Sequence, residues 1–69
     1  MGRISVEAQR REQILDAAIA VVARKGYEAT TLRDVADAAG TSTGTVNYYF
    51  ANREDVLASA LGEAAERFR

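Results

Sequence analysis

Apolar residues along this chain return at three- and four-residue steps, so the period that organises it is that of the α-helix. Ile14, Leu15, Ala18, Ile19 and Val22 form one stripe, which predicts an amphipathic helix over about 6–25. Ser5 is placed to cap its start, Arg24 and Lys25 suit the negative end of its dipole, and Gly26 predicts a left-handed stop. A second helix, over about 32–39, turns Leu32, Val35, Ala36 and Ala39 inward. Thr31 and Asp34 have the spacing of a capping box before it, and Gly40 closes it.

Almost at once a third helix opens, over about 43–49. Ser42 is its N-cap candidate, and Val46, Tyr49 and Phe50 follow at helical spacing. The intervening turn is about three residues long and contains glycine, which is the pattern of a helix-turn-helix. Asn52 then caps a fourth helix over about 53–68, with Glu54 and Asp55 in its favourable first turn. Its stripe is Leu57, Leu61, Ala64 and Phe68; the first half is expected to close the core and Phe68 to stay partly exposed. The expected fold class is all-α: a three-helix, homeodomain-like helix-turn-helix head plus a fourth helix, with residues 1–69 as one domain.

Composition narrows the chemistry. The 69 residues include no cysteine and no histidine, so disulfides, Cys-based zinc sites and an imidazole base are excluded. No metal, no cofactor and no enzymatic activity are expected, since Ser42 and Tyr48 have neither a base nor a phosphate loop to work with. No apolar run approaches the roughly 20 residues of a membrane span, and the first residues lack the apolar core of a secretory signal. A cytoplasmic location is the corresponding expectation, with no membrane partner.

Net charge is −1, which argues against indiscriminate nucleic-acid binding. Its distribution is more telling. Residues 1–11 hold Arg3, Arg10 and Arg11 against Glu7 alone, and from Ala38 to Arg53 there is no acidic residue. Those two segments can face phosphate, whereas Asp34, Asp37, Glu54, Asp55, Glu63 and Glu66 lie elsewhere.

The run GYEATTLRDVADAAGTSTGTVNYYFANREDVL, from Gly26 to Leu57, resembles the signature of the Tet-repressor family. The matching marks are Gly26-Tyr27, Thr30-Thr31, Val35-Ala36, Ala39-Gly40, Ser42, Gly44-Thr45-Val46, Tyr48-Tyr49-Phe50 and Asn52-Arg53-Glu54-Asp55. The resemblance implies the N-terminal DNA-binding head of a ligand-responsive transcriptional repressor. It further implies a C-terminal helical domain, absent from this chain, into which the fourth helix would lead. That domain would make the homodimer and bind a small-molecule inducer that the head does not bind; the DNA partner would be a double-stranded, palindromic operator. Carried over residue by residue, the resemblance places Thr43, Gly44 and Thr45 in the groove and Tyr48 and Tyr49 against backbone and bases. It adds Thr31 and Arg33 on the second helix and Arg53 at the start of the fourth. Asn47 departs from the pattern, standing where a tyrosine is usual.

The residues support a DNA reading on physical grounds too, with a structural alternative at each. A recognition helix enters the major groove N-terminus first, which calls for short residues with hydrogen-bonding tips, as Ser42, Thr43 and Thr45 supply around Gly44. Gly44 either lets backbone approach DNA closely or relieves packing against the second helix. Thr45 either meets a base or phosphate or serves as the capping partner of Ser42. Tyr49 is expected to lie partly on the face of Val46 and Phe50, and its phenol either contacts phosphate or stays with that face. Asn47 either reads adenine or is a solvated surface residue. Arg33 reaches DNA or pairs with Asp37, four residues on. Arg53, at the first position of a helix, opposes the local dipole, which an external anion would explain. Arg10 and Arg11 either contact phosphate or belong to a solvated face. The competing functional class is a helical protein-interaction domain without DNA binding, which the acidic balance and the stripe of the fourth helix also suit.

Overall fold

The computed structural model describes residues 5–68; Arg3 lies outside the described residues. Those residues form α1 (Val6–Lys25), α2 (Leu32–Ala39), α3 (Thr43–Tyr49) and α4 (Arg53–Arg67). Each helix starts on a side-chain oxygen that accepts a backbone N–H three residues ahead: Ser5 from Ala8, Thr31 from Asp34, Ser42 from Thr45 and Asn52 from Asp55. At α2 the box is reciprocal, because the Asp34 carboxylate also accepts the Thr31 N–H at 2.9 Å. Such caps contribute about 0.5–2 kcal/mol each.

The two glycine stops differ. Gly40 is left-handed, with φ 72° and ψ 34°. Its N–H donates to the Asp37 carbonyl, and that of Thr41 donates back to Ala36 at 2.9 Å; these are the paired bonds of a Schellman motif. Gly26 has φ 92° but ψ 155°. That conformation lies outside the left-handed helical region and is essentially restricted to glycine, so the expected left-handed stop is corrected to an extended one. The chain leaves α1 sharply and enters the loop that precedes α2.

One core joins all four helices: Ile14, Leu15 and Ala18 of α1, Val35 and Ala36 of α2, Val46 of α3 with Phe50, and Val56, Leu57 and Ala60 of α4. α1 is buried over a wider face than a single stripe, since Ala17 and Val21 are also inside; it packs on both α2 and α4. The inner line of α4 is rotated from the expected one. Val56, Leu57 and Ala60 are buried, while Leu61 is 47% and Phe68 83% exposed. Beside Leu61, residues Ile19, Val22 and Ala23 of α1 and Ala60 and Ala64 of α4 line a shallow apolar groove. Among the described residues no helix is long and apolar enough to cross a membrane.

Candidate nucleic-acid interface

α3 is only seven residues long, far below the length at which an isolated helix holds in water. It persists because Val46 and Phe50 are sunk in the core and the Tyr49 ring packs partly against it. The opposite side carries Gly44, Asn47 and Tyr48, all exposed, with Thr43 and Thr45 half-buried at its edges. The Schellman turn at Gly40 holds this helix against α2.

A Cβ built on Gly44 meets only the Ser42 Oγ, at 3.7 Å. That is ordinary van der Waals contact, so packing against α2 does not require glycine here. Thr45 does act as the capping partner of Ser42: its N–H donates to Ser42 Oγ at 3.1 Å, and Ser42 Oγ donates to Thr45 Oγ1 at 3.1 Å. The two roles foreseen for Thr45 do not exclude each other. As acceptor in that pair it retains its own hydroxyl proton and its methyl group for an outside ligand. Thr31, exposed at the N-cap of α2, is similarly the acceptor for Asp34 N–H.

Two arginines border the turn. Arg10 of α1 shares a groove with Gly40, Thr41 and Thr45, and Arg33 shares another with Gly40, Ser42 and Thr43. Arg33 is also 3.5 Å from Asp37, with the two side chains 77% and 69% exposed. A pair so exposed contributes about 0.3–0.5 kcal/mol, so an arriving anion can capture Arg33 at little cost. Arg11 lies with its guanidinium 5.0 Å from the Phe50 ring centroid, tying α1 to the end of α3. Tyr48, 69% exposed, stands edge-on to Tyr49 with ring centroids 4.9 Å apart. Its Oη donates to Glu7 Oε2 at 2.9 Å. That hydrogen bond, reinforced by the carboxylate charge, raises the phenol above its ordinary value.

Arg53 departs from expectation. Its Nε donates to the Thr30 carbonyl at 2.7 Å, Nη2 to the carbonyls of Tyr27 at 2.6 Å and Glu28 at 3.3 Å, and Nη1 to Glu54 at 2.9 Å. Its guanidinium also stacks 5.4 Å from the Tyr27 centroid. With Nε, Nη1 and Nη2 all engaged, the guanidinium has acceptors within the domain, the Glu54 carboxylate among them. Thr30, which periodicity did not single out, is fully buried in the same loop and donates its hydroxyl to Gly26 at 2.7 Å.

Ion pairs set the remaining helices. Lys25 lies 2.7 Å from Asp34, joining the end of α1 to the start of α2. The Lys25 hydrogen bond, followed by those from Thr31, lowers the Asp34 carboxyl from 3.8 to about 2. Arg67 on the last turn of α4 bonds Asp16 and lies 3.7 Å from Glu12 and 3.6 Å from Glu63. Glu7, Thr30 and Arg67 all carry contacts that sequence reasoning missed.

Two helices crossing over a glycine turn, the second of them short, anchored on one face and polar on the other, form a helix-turn-helix. Residues 14–60 match the family described as bacterial regulatory proteins, tetR family. The chain belongs to that family and is the helix-turn-helix head of such a regulator. It is 43% identical over 61 residues to the HTH-type transcriptional repressor KstR of Mycolicibacterium smegmatis, covering 88% of this chain and 30% of that protein. It is 41% identical over 56 residues to the fatty acid metabolism regulator protein of Bacillus subtilis, covering 81% and 29%. Among solved structures it resembles the fatty acid degradation regulator FadR of Bacillus halodurans, with TM-score 0.75, 44% identity, and 86% of this chain and 31% of that one covered. The chain thus spans about a third of the length of these relatives.

Proposed function

We propose that the domain binds double-stranded DNA with α3 in the major groove and reads sequence there as part of a transcriptional repressor. The observation that carries this reading is the division of α3 into a buried face, Val46 and Phe50, and an exposed face, Gly44, Asn47 and Tyr48, bordered by Arg10 and Arg33. Thr43, Gly44 and Thr45 face base edges, Asn47 reads a base, and Arg33 and Arg10 face phosphate. Tyr48 gives its phenol to the backbone. Ser42 and Thr31 act chiefly as caps, Tyr49 as a partial core residue, and Arg53 as the residue that positions α4 and the loop before α2. Phosphate contacts supply affinity and α3 supplies readout.

The whole regulator, on this reading, is a cytoplasmic homodimer without enzymatic activity, dimerised and induced through a further domain, on a palindromic operator. Paired heads of this kind engage half-sites about 34–36 Å apart. The test is binding of the 69-residue chain to random-sequence duplex across a salt series. Log K should fall linearly with log salt, by about 0.9 per phosphate contacted. Selection from a random pool, with two heads fused to a dimerising partner, should then return a two-fold symmetric site. An Asn47→Ala variant should lose preference at one base pair, by about 1–3 kcal/mol. No binding even at low salt would overturn the reading.

A further inference from the structure

From Ala38 to Arg53 the chain has no acidic residue, yet the fold returns one to the exposed side of α3. Glu7, in the first turn of α1 and 41 residues from Tyr48, accepts the phenol proton at 2.9 Å. Both side chains are exposed, so burial does not force the contact. The edge-on Tyr49 ring further fixes where the phenol points. A phenol has a single proton to donate. It serves the Glu7 carboxylate or an oxygen of an arriving phosphate, and a phosphate at that place also meets the carboxylate charge.

We propose that Glu7 is an intramolecular competitor of the DNA backbone at Tyr48: it occupies the phenol in the free domain and is displaced when duplex docks. The inference rests on the reading that α3 enters DNA. It adds a restraint on affinity that no cation count of the surface would reveal. Charge-assisted hydrogen bonds are stronger than neutral ones, and exposed pairs at such spacing are still worth little, so the restraint is modest and measurable.

The experiment is fluorescence anisotropy of a labelled random-sequence duplex at low salt, with the wild-type chain, Glu7→Gln, Glu7→Ala, Tyr48→Phe and each Glu7 variant combined with Tyr48→Phe. Glu7→Gln and Glu7→Ala should tighten binding by about two- to five-fold. Alanine should have the larger effect, because glutamine still accepts the proton without charge. In the Tyr48→Phe background the tightening should fall by at least half, since the contested proton is gone. Equal tightening in that background would reduce Glu7 to a through-space charge and overturn the proposal. Weaker binding by Glu7→Gln, with unchanged helicity by circular dichroism, would make Glu7 a positioning residue for Tyr48 and overturn it as well, as would no change. Failure of the wild-type chain to bind at all would instead refute the DNA reading itself, and the inference with it.

Discussion

Arg53→Ala separates two roles for one cation. The substitution removes the donors to the carbonyls of Tyr27, Glu28 and Thr30 and the stack on Tyr27. A hydrogen bond to a charged group contributes about 1.5–3 kcal/mol. These bonds share one guanidinium, 28% of whose side chain is exposed, and water replaces part of what is lost. A combined cost of about 2–4 kcal/mol follows. A domain of this size has only about 3–10 kcal/mol of stability in total. Since each kcal/mol is worth about 4–8 °C here, the midpoint should fall by about 10–30 °C. Arg53→Lys should recover less than half of that, because one ammonium cannot span three carbonyls and lie on a ring. Thermal unfolding followed by far-UV circular dichroism is the assay, with a salt series of duplex binding beside it. If Arg53→Ala melted like wild type while the salt slope dropped by about one, the guanidinium would be facing phosphate and the loop assignment would be wrong.

Three further outcomes follow from particular residues. Gly40→Ala should cost about 1–2 kcal/mol in urea unfolding, from φ 72° alone, since nothing lies within 4 Å of an added Cβ; Gly40→Asn should cost less. Gly44→Ala should fold with wild-type stability or slightly better and bind duplex more weakly, because its Cβ meets ordinary contact in the free domain. Asp34 has a folded-state carboxyl depressed from 3.8 to about 2; its contribution is therefore complete above the unfolded value and lost as pH falls through that window. Acid unfolding of Asp34→Asn should accordingly be flatter between those values, and carboxyl resonances in NMR should show Asp34 titrating near 2.

What was legible in the sequence was what neighbours decide. The caps at Ser5, Thr31, Ser42 and Asn52 bond three residues ahead, and Gly40 closes α2 on carbonyls within five residues, so the local pattern holds the information. Contacts between segments far apart in the chain were not legible. The Tyr48–Glu7, Arg53–Thr30 and Arg67–Asp16 pairs span 41, 23 and 51 residues; they depend on how helices cross, which a one-dimensional period does not encode. Arg53 shows the distinction well. A cation at the start of a helix does need an acceptor, and the carbonyls of Tyr27 and Thr30 that supply it lie more than twenty residues away. Ala17 and Val21 escaped for a related reason: a helix with neighbours on two sides buries more than one stripe, and the sequence of α1 alone does not announce the second neighbour.

The two-sidedness of α3 has an evolutionary consequence. Val46 and Phe50, which keep the helix folded, share no position with Gly44, Asn47 and Tyr48, which meet the outside. Exposed substitutions away from caps and core usually change stability by no more than about 0.5 kcal/mol. Asn47 and Tyr48 can therefore drift without the domain ever passing through an unfolded ancestor, and on the proposed reading a change at Asn47 would alter base preference while a change at Tyr48 would alter affinity. Ser42 has no such freedom, because its hydroxyl accepts the Thr45 N–H that starts the helix, and Thr45 is tied to it by a further hydroxyl–hydroxyl bond. If α3 reads DNA as proposed, new binding specificities should thus arise at position 47 before position 42.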